Sequence, residues 1–350
     1  MLTDIFAYRY LNVPIWSRFG GLERRLVVQS FRILSESICR YYTDGKETDH
    51  AKAFWNDIQS RLSMELGVKS LSPEAYAFQM GTPAQPRYWS GVYTPFQVCE
   101  TWALQQFDNQ TSADEFIKQR LSLVEIGFRK REEAVAAANG SLNKQLAEWR
   151  GRSQRKTGRA LLGEDPAAWI IENNKQMNDG FRSAVEELNT RFQQAECGLH
   201  YHNGFIQRST DMRVAHEVEA PFWDIVADPK WKNVDVDMKE AIDRRDAGGR
   251  DPAFYAARAL ESTIKIISGE KGWTHGGERG ASNYIDNLSS KKASFIEQWE
   301  AEALKLFFSK VRNPMSHGSG SEEMVSLTPQ QTSWAIEFAM SWIKSLVRRM

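Results

Sequence analysis

Long stretches of the chain place apolar residues at helical steps. Between 21 and 43, Leu22, Leu26, Phe31, Leu34, Ile38 and Tyr41 recur every three to five positions and predict an amphipathic helix. Phe54, Ile58, Leu62 and Leu66 predict a second over 50–66, with Gly67 as its C-terminal stop. Segment 68–96 breaks the pattern. Pro73, Pro83, Pro86 and Pro95 stand there among Gly81 and Gly91, so it reads as loop. Helix resumes over 113–138. From Cys197 to Gln207 two β-type runs flank Asn203-Gly204, a pair suited to a tight turn with positive φ, which predicts a β-hairpin at about 198–208.

The C-terminal part carries clear start and stop signals. Asp243-Arg-Arg-Asp-Ala-Gly-Gly-Arg250 reads as a linker, and Asp251-Pro252 as an N-cap followed by Pro in the first helical position. Ala257, Leu260, Ile264 and Ile267 then predict a helix closed by Gly269, and a shorter one is expected at 281–289. Another is expected over 295–312, with Trp299, Ala303, Phe307 and Val311 on one stripe. Thr328-Pro329-Gln330-Gln331 opens the last helix, Gln331 completing a capping box, and Trp334, Phe338, Trp342 and Leu346 carry it onward. Helices with one apolar face each make a bundle. The expected fold is mainly α, with a helical bundle over 249–350 and a mostly helical domain with one small β-hairpin over 1–248.

Charge narrows the options. Lys and Arg total 45 and Asp and Glu total 45, so no whole-chain basic field marks a nucleic-acid coat and no acidic excess marks disorder. Any nucleic-acid contact must be local. Cys39, Cys99 and Cys197 are far apart and odd in number, which excludes a disulfide framework and a Cys-based zinc site and fits a reducing cytosol. No apolar run reaches the length of a membrane span, and a cytoplasmic protein with no membrane partner is expected.

One basic run stands out: Arg150, Arg152, Arg155, Lys156 and Arg159, with no acid among them. It reads as a solvated loop or exposed helix, or as an RNA-binding patch on phosphates, and no aromatic residue interleaves it. His200 and His202 would share one face of a strand, as a metal pair does, yet no third ligand is near and structural histidines fit better. No metal and no cofactor is expected. Gly276-Gly277-Glu278-Arg279-Gly280 lacks the Lys-Ser/Thr of a P-loop and reads as a connection between helices.

The residues best suited to chemistry lie at Lys310-Val311-Arg312-Asn313-Pro314-Met315-Ser316-His317-Gly318. An Arg followed five positions later by a His is common. Its setting adds weight: Pro314 is expected to end the helix at Arg312, and His317 opens a Gly-Ser-Gly-Ser stretch at the bundle edge. On residues alone, Arg312 complementing the helix dipole and His317 capping carbonyls account for both better than catalysis does.

This segment resembles the signature of HEPN domains (higher eukaryotes and prokaryotes nucleotide-binding). Their ribonuclease members carry Arg, a polar residue, three variable positions and His, matched here by Arg312, Asn313, Pro314-Met315-Ser316 and His317. The helix Ala256-Ala-Arg-Ala-Leu-Glu-Ser-Thr-Ile-Lys265 is similar to the first helix of HEPN domains at the C-terminus of abortive-infection proteins. Asp4-Ile-Phe-Ala-Tyr-Arg-Tyr10 and the Leu199–Gln207 hairpin are similar to the N-terminal domain of AbiJ-like phage-defence proteins.

The resemblance implies a metal-independent endoribonuclease effector of antiphage defence, in which 1–248 senses or regulates and 249–350 cleaves. The 2′-hydroxyl of RNA lies beside its own phosphate, so the enzyme supplies proton transfer and charge stabilisation. His317 takes or gives the proton, Arg312 forks onto the phosphate, and Asn313 orients either. Glu261 is the candidate auxiliary residue, its alternative role being a solvated carboxylate bonded to Lys265. One motif per chain implies a homodimer or higher oligomer. Trp334 and Trp342 are candidate interface anchors, or else part of the chain's own bundle. RNA, transfer RNA among the candidates, is the expected partner, with a phage-encoded trigger or a partner defence protein as a further one. The alternatives are a non-catalytic HEPN module that binds RNA or a nucleotide or dimerises, and a helical adaptor for a partner protein.

Overall fold

The computed structural model describes residues 5–82, 85–108, 110–157, 167–209, 212–316 and 327–350. Helix makes up 68% of it and the described strands form three two-stranded sheets, so the mainly α expectation holds. The chain divides into two compact units, Asp4–Ile206 and Gln207–Met350. No helix among the described residues is long and apolar enough to cross a membrane.

The first unit opens with α1 (Phe6–Arg9) and α2 (Gly21–Ile33), which runs on into a π-turn at Leu34–Ile38. Leu26, Phe31, Leu34, Ile38 and Tyr41 of the predicted stripe are buried, whereas Leu22 is exposed. A turn of Asp44 and Gly45, both with positive φ, joins β1 (Tyr42–Thr43) to β2 (Lys46–Glu47). The Thr48 hydroxyl accepts from Ala51 N at 3.1 Å to cap α3 (Asp49–Glu65), and Gly67 follows with φ 68°.

Segment 68–96 departs from its loop expectation. It holds a long antiparallel hairpin, β3 (Ala75–Thr82) and β4 (Gln85–Val92), and the start of α4 (Pro95–Ala103). The prolines do not prevent this. Pro73 precedes the strands, Pro83 lies between them, Pro86 is near the start of β4, and Pro95 is the first residue of α4.

Helix α5 (Ala113–Thr157) runs far past the expected 138. It pairs with α6 (Ala168–Gln194), where Leu142 and Leu146 meet Ala167 and Ile170 and the Asn139 amide accepts from Asn174 and exchanges hydrogen bonds with Asn178. The predicted hairpin appears as β5 (Leu199–His202) and β6 (Phe205–Arg208), with Asn203 at φ 42° and Gly204 at φ 85°. Buried Glu125 links two distant segments of this unit. Its carboxylate accepts from Arg9 at 3.0 and 2.6 Å, from Arg129 at 2.7 Å and from the Ile206 amide at 2.8 Å. The chain start and the hairpin, the two segments that carry the AbiJ resemblance, therefore share one carboxylate.

The second unit contains α7 (Met212–Val214), a π-turn at Ala215–Glu219, α8 (Ala220–Val226) and α9 (Lys232–Asp246). Then follow α10 (Pro252–Glu270), α11 (Ala281–Ser289), α12 (Gln298–Phe307), α13 (Asn313–Ser316) and α14 (Pro329–Arg348). Its core joins Val234, Met238 and Ile242 of α9 to Ala253, Ala257, Leu260 and Ile264 of α10 and Ile336, Met340 and Ile343 of α14. Segment 207–248, grouped by linker composition with the N-terminal part, thus packs with the C-terminal helices. The 243–250 stretch is a tight connection: Gly248 has φ 64° and the Gly249 amide donates to Arg244 O at 2.7 Å, closing α9. Asp251 is left-handed at φ 57° and its side chain makes no cap bond, unlike the expected N-cap.

Two more expectations change here. Trp299 is 67% exposed, and the inward face of α12 is Ala301, Leu304 and Phe307. Beside Trp299, Glu300 closes the capping box at Glu297 and takes two hydrogen bonds from Arg349 at 2.7 and 3.1 Å. The helix also does not stop at Arg312. A π-turn at Phe308–Arg312, in which the Asn313 amide donates to Phe308 O, carries it into α13. Pro314 has no N–H to give Lys310, and the widened turn beside it accommodates that loss. In α14 the Thr328–Gln331 capping box forms as predicted. Trp334 is 52% exposed and Trp342 half-buried, with Phe338 between them at 5.3 and 6.1 Å and Phe307 stacked on Phe338 at 4.6 Å.

Candidate active site

Three of the singled-out residues come together on the second unit. Helix α10 carries Glu261 on a face with Arg258 and Lys265, because positions three and four apart on a helix are neighbours. The π-turn brings Arg312 to that face. Its Nη2 donates to Glu261 Oε2 at 3.2 Å and its Nη1 lies 3.5 Å from Asn313 Oδ1. Lys265 Nζ holds the other oxygen of Glu261 at 2.7 Å. Glu261 is therefore not a solvated carboxylate with one partner. It is buried and bridges two cations.

The guanidinium is not saturated by these bonds. Arg312 Nε is buried and has no hydrogen-bond partner among the described residues, although the side chain as a whole is 30% exposed. Arg312, Glu261 and Lys265 border a cleft of about 640 Å³, lined also by Asn233, Asp237, Phe254 and Ser262. Arg258 Nη2 bonds Asp237 Oδ1 at 3.1 Å, and burial raises the Asp237 pKa against the pull of that arginine. The lining holds three cations, Arg258, Lys265 and Arg312, against two carboxylates, Asp237 and Glu261. A positive cleft with an under-used guanidinium suits an anionic ligand such as a phosphodiester. His317 lies outside the described residues.

Arg258, Asn233 and Asp237 had no part in the sequence reading. Arg258 was legible as one face of the Arg258-Glu261-Lys265 helix. Asn233 and Asp237 were not, since the polar 243–250 stretch reads as a linker that separates α9 from α10.

The remaining candidates lie elsewhere. Arg150 and Arg152 are exposed on the far part of α5, while the side chains of Arg155 and Lys156, and all of Arg159, lie outside the described residues. The aromatic element missing from that run comes from its own flank and the facing helix: Trp149 and Trp169 meet edge to face at 5.6 Å, and Trp169 is 53% exposed. His200 and His202 lie with ring centroids 6.1 Å apart, and burial pushes His200 down to a pKa of about 4. The Gly276–Gly280 connection is organised by Glu278. Its carboxylate accepts from the His275 and Gly276 amides at 2.6 and 3.0 Å and from Asn287 at 2.8 Å, and these bonds lower its pKa to about 2.

The family model for AbiJ N-terminal domain 4 matches residues 4–224, well over half of the chain. The chain belongs to that family, and is an AbiJ-like abortive-infection protein. No curated protein and no solved structure matches it.

Proposed function

We propose that this protein is a metal-independent endoribonuclease effector of abortive-infection defence, cutting RNA at a HEPN-type site on its C-terminal helices. The observation that carries the reading is Arg312. It is held by Glu261 beside a cleft rich in cations, with its side chain still 30% exposed. A guanidinium held on one side by a carboxylate keeps its other donors oriented for phosphate oxygens, where charge grows as the 2′-oxygen attacks. Glu261 acts as a positioning residue, and Lys265 and Arg258 add charge for the neighbouring phosphates. His317 supplies the proton transfer. The 2′-oxygen forms a bond to phosphorus as the bond to the 5′-oxygen breaks. A base takes the 2′-proton, an acid protonates the leaving oxygen, and the products are a 2′,3′-cyclic phosphate and a 5′-hydroxyl.

The basic face around Arg150 and Arg152, with Trp149 and Trp169 beside it, is a second surface suited to RNA. A non-catalytic module that binds RNA or a nucleotide, or dimerises, is the rival reading. It is favoured by Glu261 having both oxygens paired, as in a purely structural cluster. The two separate on induction in bacteria followed by sequencing of RNA ends. Wild type is expected to produce 5′-hydroxyl ends and arrest growth, and His317→Ala and Arg312→Ala to produce neither. Growth arrest unchanged by both variants would establish the rival.

A further inference from the structure

The hairpin β3–β4 carries much apolar surface that the described residues leave exposed. Tyr76, Phe78, Met80, Tyr88, Trp89 and Val92 are all exposed, between 39% and 78%. The register sets Tyr76 opposite Gly91, Phe78 opposite Trp89 and Met80 opposite Arg87, so these share one face. Tyr76 lies across Gly91, where a Cβ would come within 2.5 Å of its hydroxyl, and its ring stacks with Phe78 at 5.9 Å. The root is fixed by Tyr93, whose amide donates to Glu74 O at 2.8 Å and whose ring lies 5.0 Å from Tyr76.

A two-stranded hairpin exposed on both faces is marginal in water. Its outer edge makes this one more exposed still. From Ala75 to Gly81, strand β3 has no charged residue and no proline. Those are the devices that normally keep an edge strand from pairing. The described strands give β3 no neighbour but β4. An uncharged, β-prone edge beside an aromatic face is a template for another strand.

We propose that the occupant is β3 of a second copy of this chain, antiparallel about a two-fold axis at Phe78. Self-pairing brings no like charges together, because β3 has none. With Phe78 opposite Phe78 of the partner subunit, Tyr76 faces Met80, Ala77 faces Gln79 and Ala75 faces Gly81. Paired residues then have equal parity, so Tyr76, Phe78, Met80 and Trp89 of both copies form one continuous face of a four-stranded sheet. A one-residue slip would set that face against the Ala-rich one. Centring on Gln79 would oppose Ala75 with Pro83, which has no N–H to donate. Nucleic acid fits less well, because phosphate affinity comes from clustered cations and Arg87 is the lone charge between 75 and 92.

Sedimentation velocity over a concentration series, on the full chain, tests this. Wild type is expected to self-associate. Phe78→Lys, which sets two ammonium groups opposite each other, is expected to weaken association by about tenfold or more, and Phe78→Tyr to restore it. Thermal melting checks that both variants stay folded. Phe78→Cys is expected to cross-link as a dimer under mild oxidant, and Tyr88→Cys on the outer strand is not. A wild type that stays monomeric overturns the pairing, as does Phe78→Lys associating like wild type, or Tyr88→Cys cross-linking as well as Phe78→Cys. Loss of binding to a short oligonucleotide or to lipid vesicles in Phe78→Lys, with mass unchanged, would replace the second copy by that ligand. Cross-linking at Phe78 against Tyr88 reports on this hairpin alone and not on a two-fold site around Arg312. That readout lets this inference fail separately from the nuclease reading.

Discussion

A guanidinium offers five N–H donors, and Arg312 directs few of them to the protein. Replacing it by Ala is therefore expected to abolish cleavage while lowering stability by no more than about 1 kcal/mol, since the side chain is partly solvated. Chemical denaturation checks the second half of that statement. Glu261→Gln provides a finer test: it keeps the shape but weakens the hold on Arg312, so kcat should fall while the pH profile of cleavage keeps its form. Glu219 gives a prediction of a different kind. Burial raises its pKa to about 7, with Arg245 pulling the other way. A raised carboxyl pKa means the folded chain binds a proton that the unfolded chain has released, so stability is lost as pH rises from about 4.5 to about 7. The size of that loss is on the order of 3 kcal/mol. Glu219→Gln should flatten the decline, as melting curves taken across that range would reveal. A decline that persists in the variant would assign it to other groups.

At the scale of elements, the packing of α12 against α14 rests on Phe307, which is buried and stacked on Phe338 at 4.6 Å. Phe307→Ala is expected to cost about 3 kcal/mol or more, measured by denaturant midpoint, because the surrounding rings cannot all collapse into the space. This contrast with Arg312 was legible in the sequence, as were α3, α10, α14 and the Asn203-Gly204 hairpin. In each of these the apolar spacing and a cap or turn residue point the same way. The failures share a cause too. In β3–β4 the exposed face carries the large side chains, so burial and polarity no longer alternate together, and the prolines dominate the reading. Trp299 departs for a related reason: the helical spacing marks more than one face, and the buried one carries Ala301, Leu304 and Phe307. Of the site, Arg312, Asn313 and Glu261 were legible from motif and resemblance. Asp237 and Asn233 were not, because a Gly-Gly connection inside a helical hairpin looks like a linker between domains until its hydrogen bonds are seen.

For the whole molecule, the proposed chemistry demands two titrating groups, and each chain supplies one Arg312–His317 motif. A single imidazole serves poorly as base and acid in the same step, so on the proposed reading two motifs would face one phosphate across a two-fold axis. Trp334, half exposed beside Phe307 and Phe338, is available for such an interface. Cleavage should then follow a bell-shaped pH profile with its maximum near neutrality. Subunit mixing tests the geometry behind it. Arg312→Ala and His317→Ala proteins are each expected to be inactive. If phosphate clamping and proton transfer come from different protomers, mixing and refolding the two variants should return part of the wild-type rate, because half of the statistical dimers are mixed and these carry one intact Arg312 and one intact His317. Restored activity should rise and then fall as the ratio of the variants is varied, with its maximum near equal amounts. Two inactive variants that stay inactive at every ratio, while size measurements show them mixing, would mean either that one protomer supplies both functions or that both imidazoles are needed at one phosphate. A His317→Ala and wild-type mixture separates these, since only the first leaves the mixed dimer active. Full activity of a strictly monomeric wild type would remove the shared site altogether.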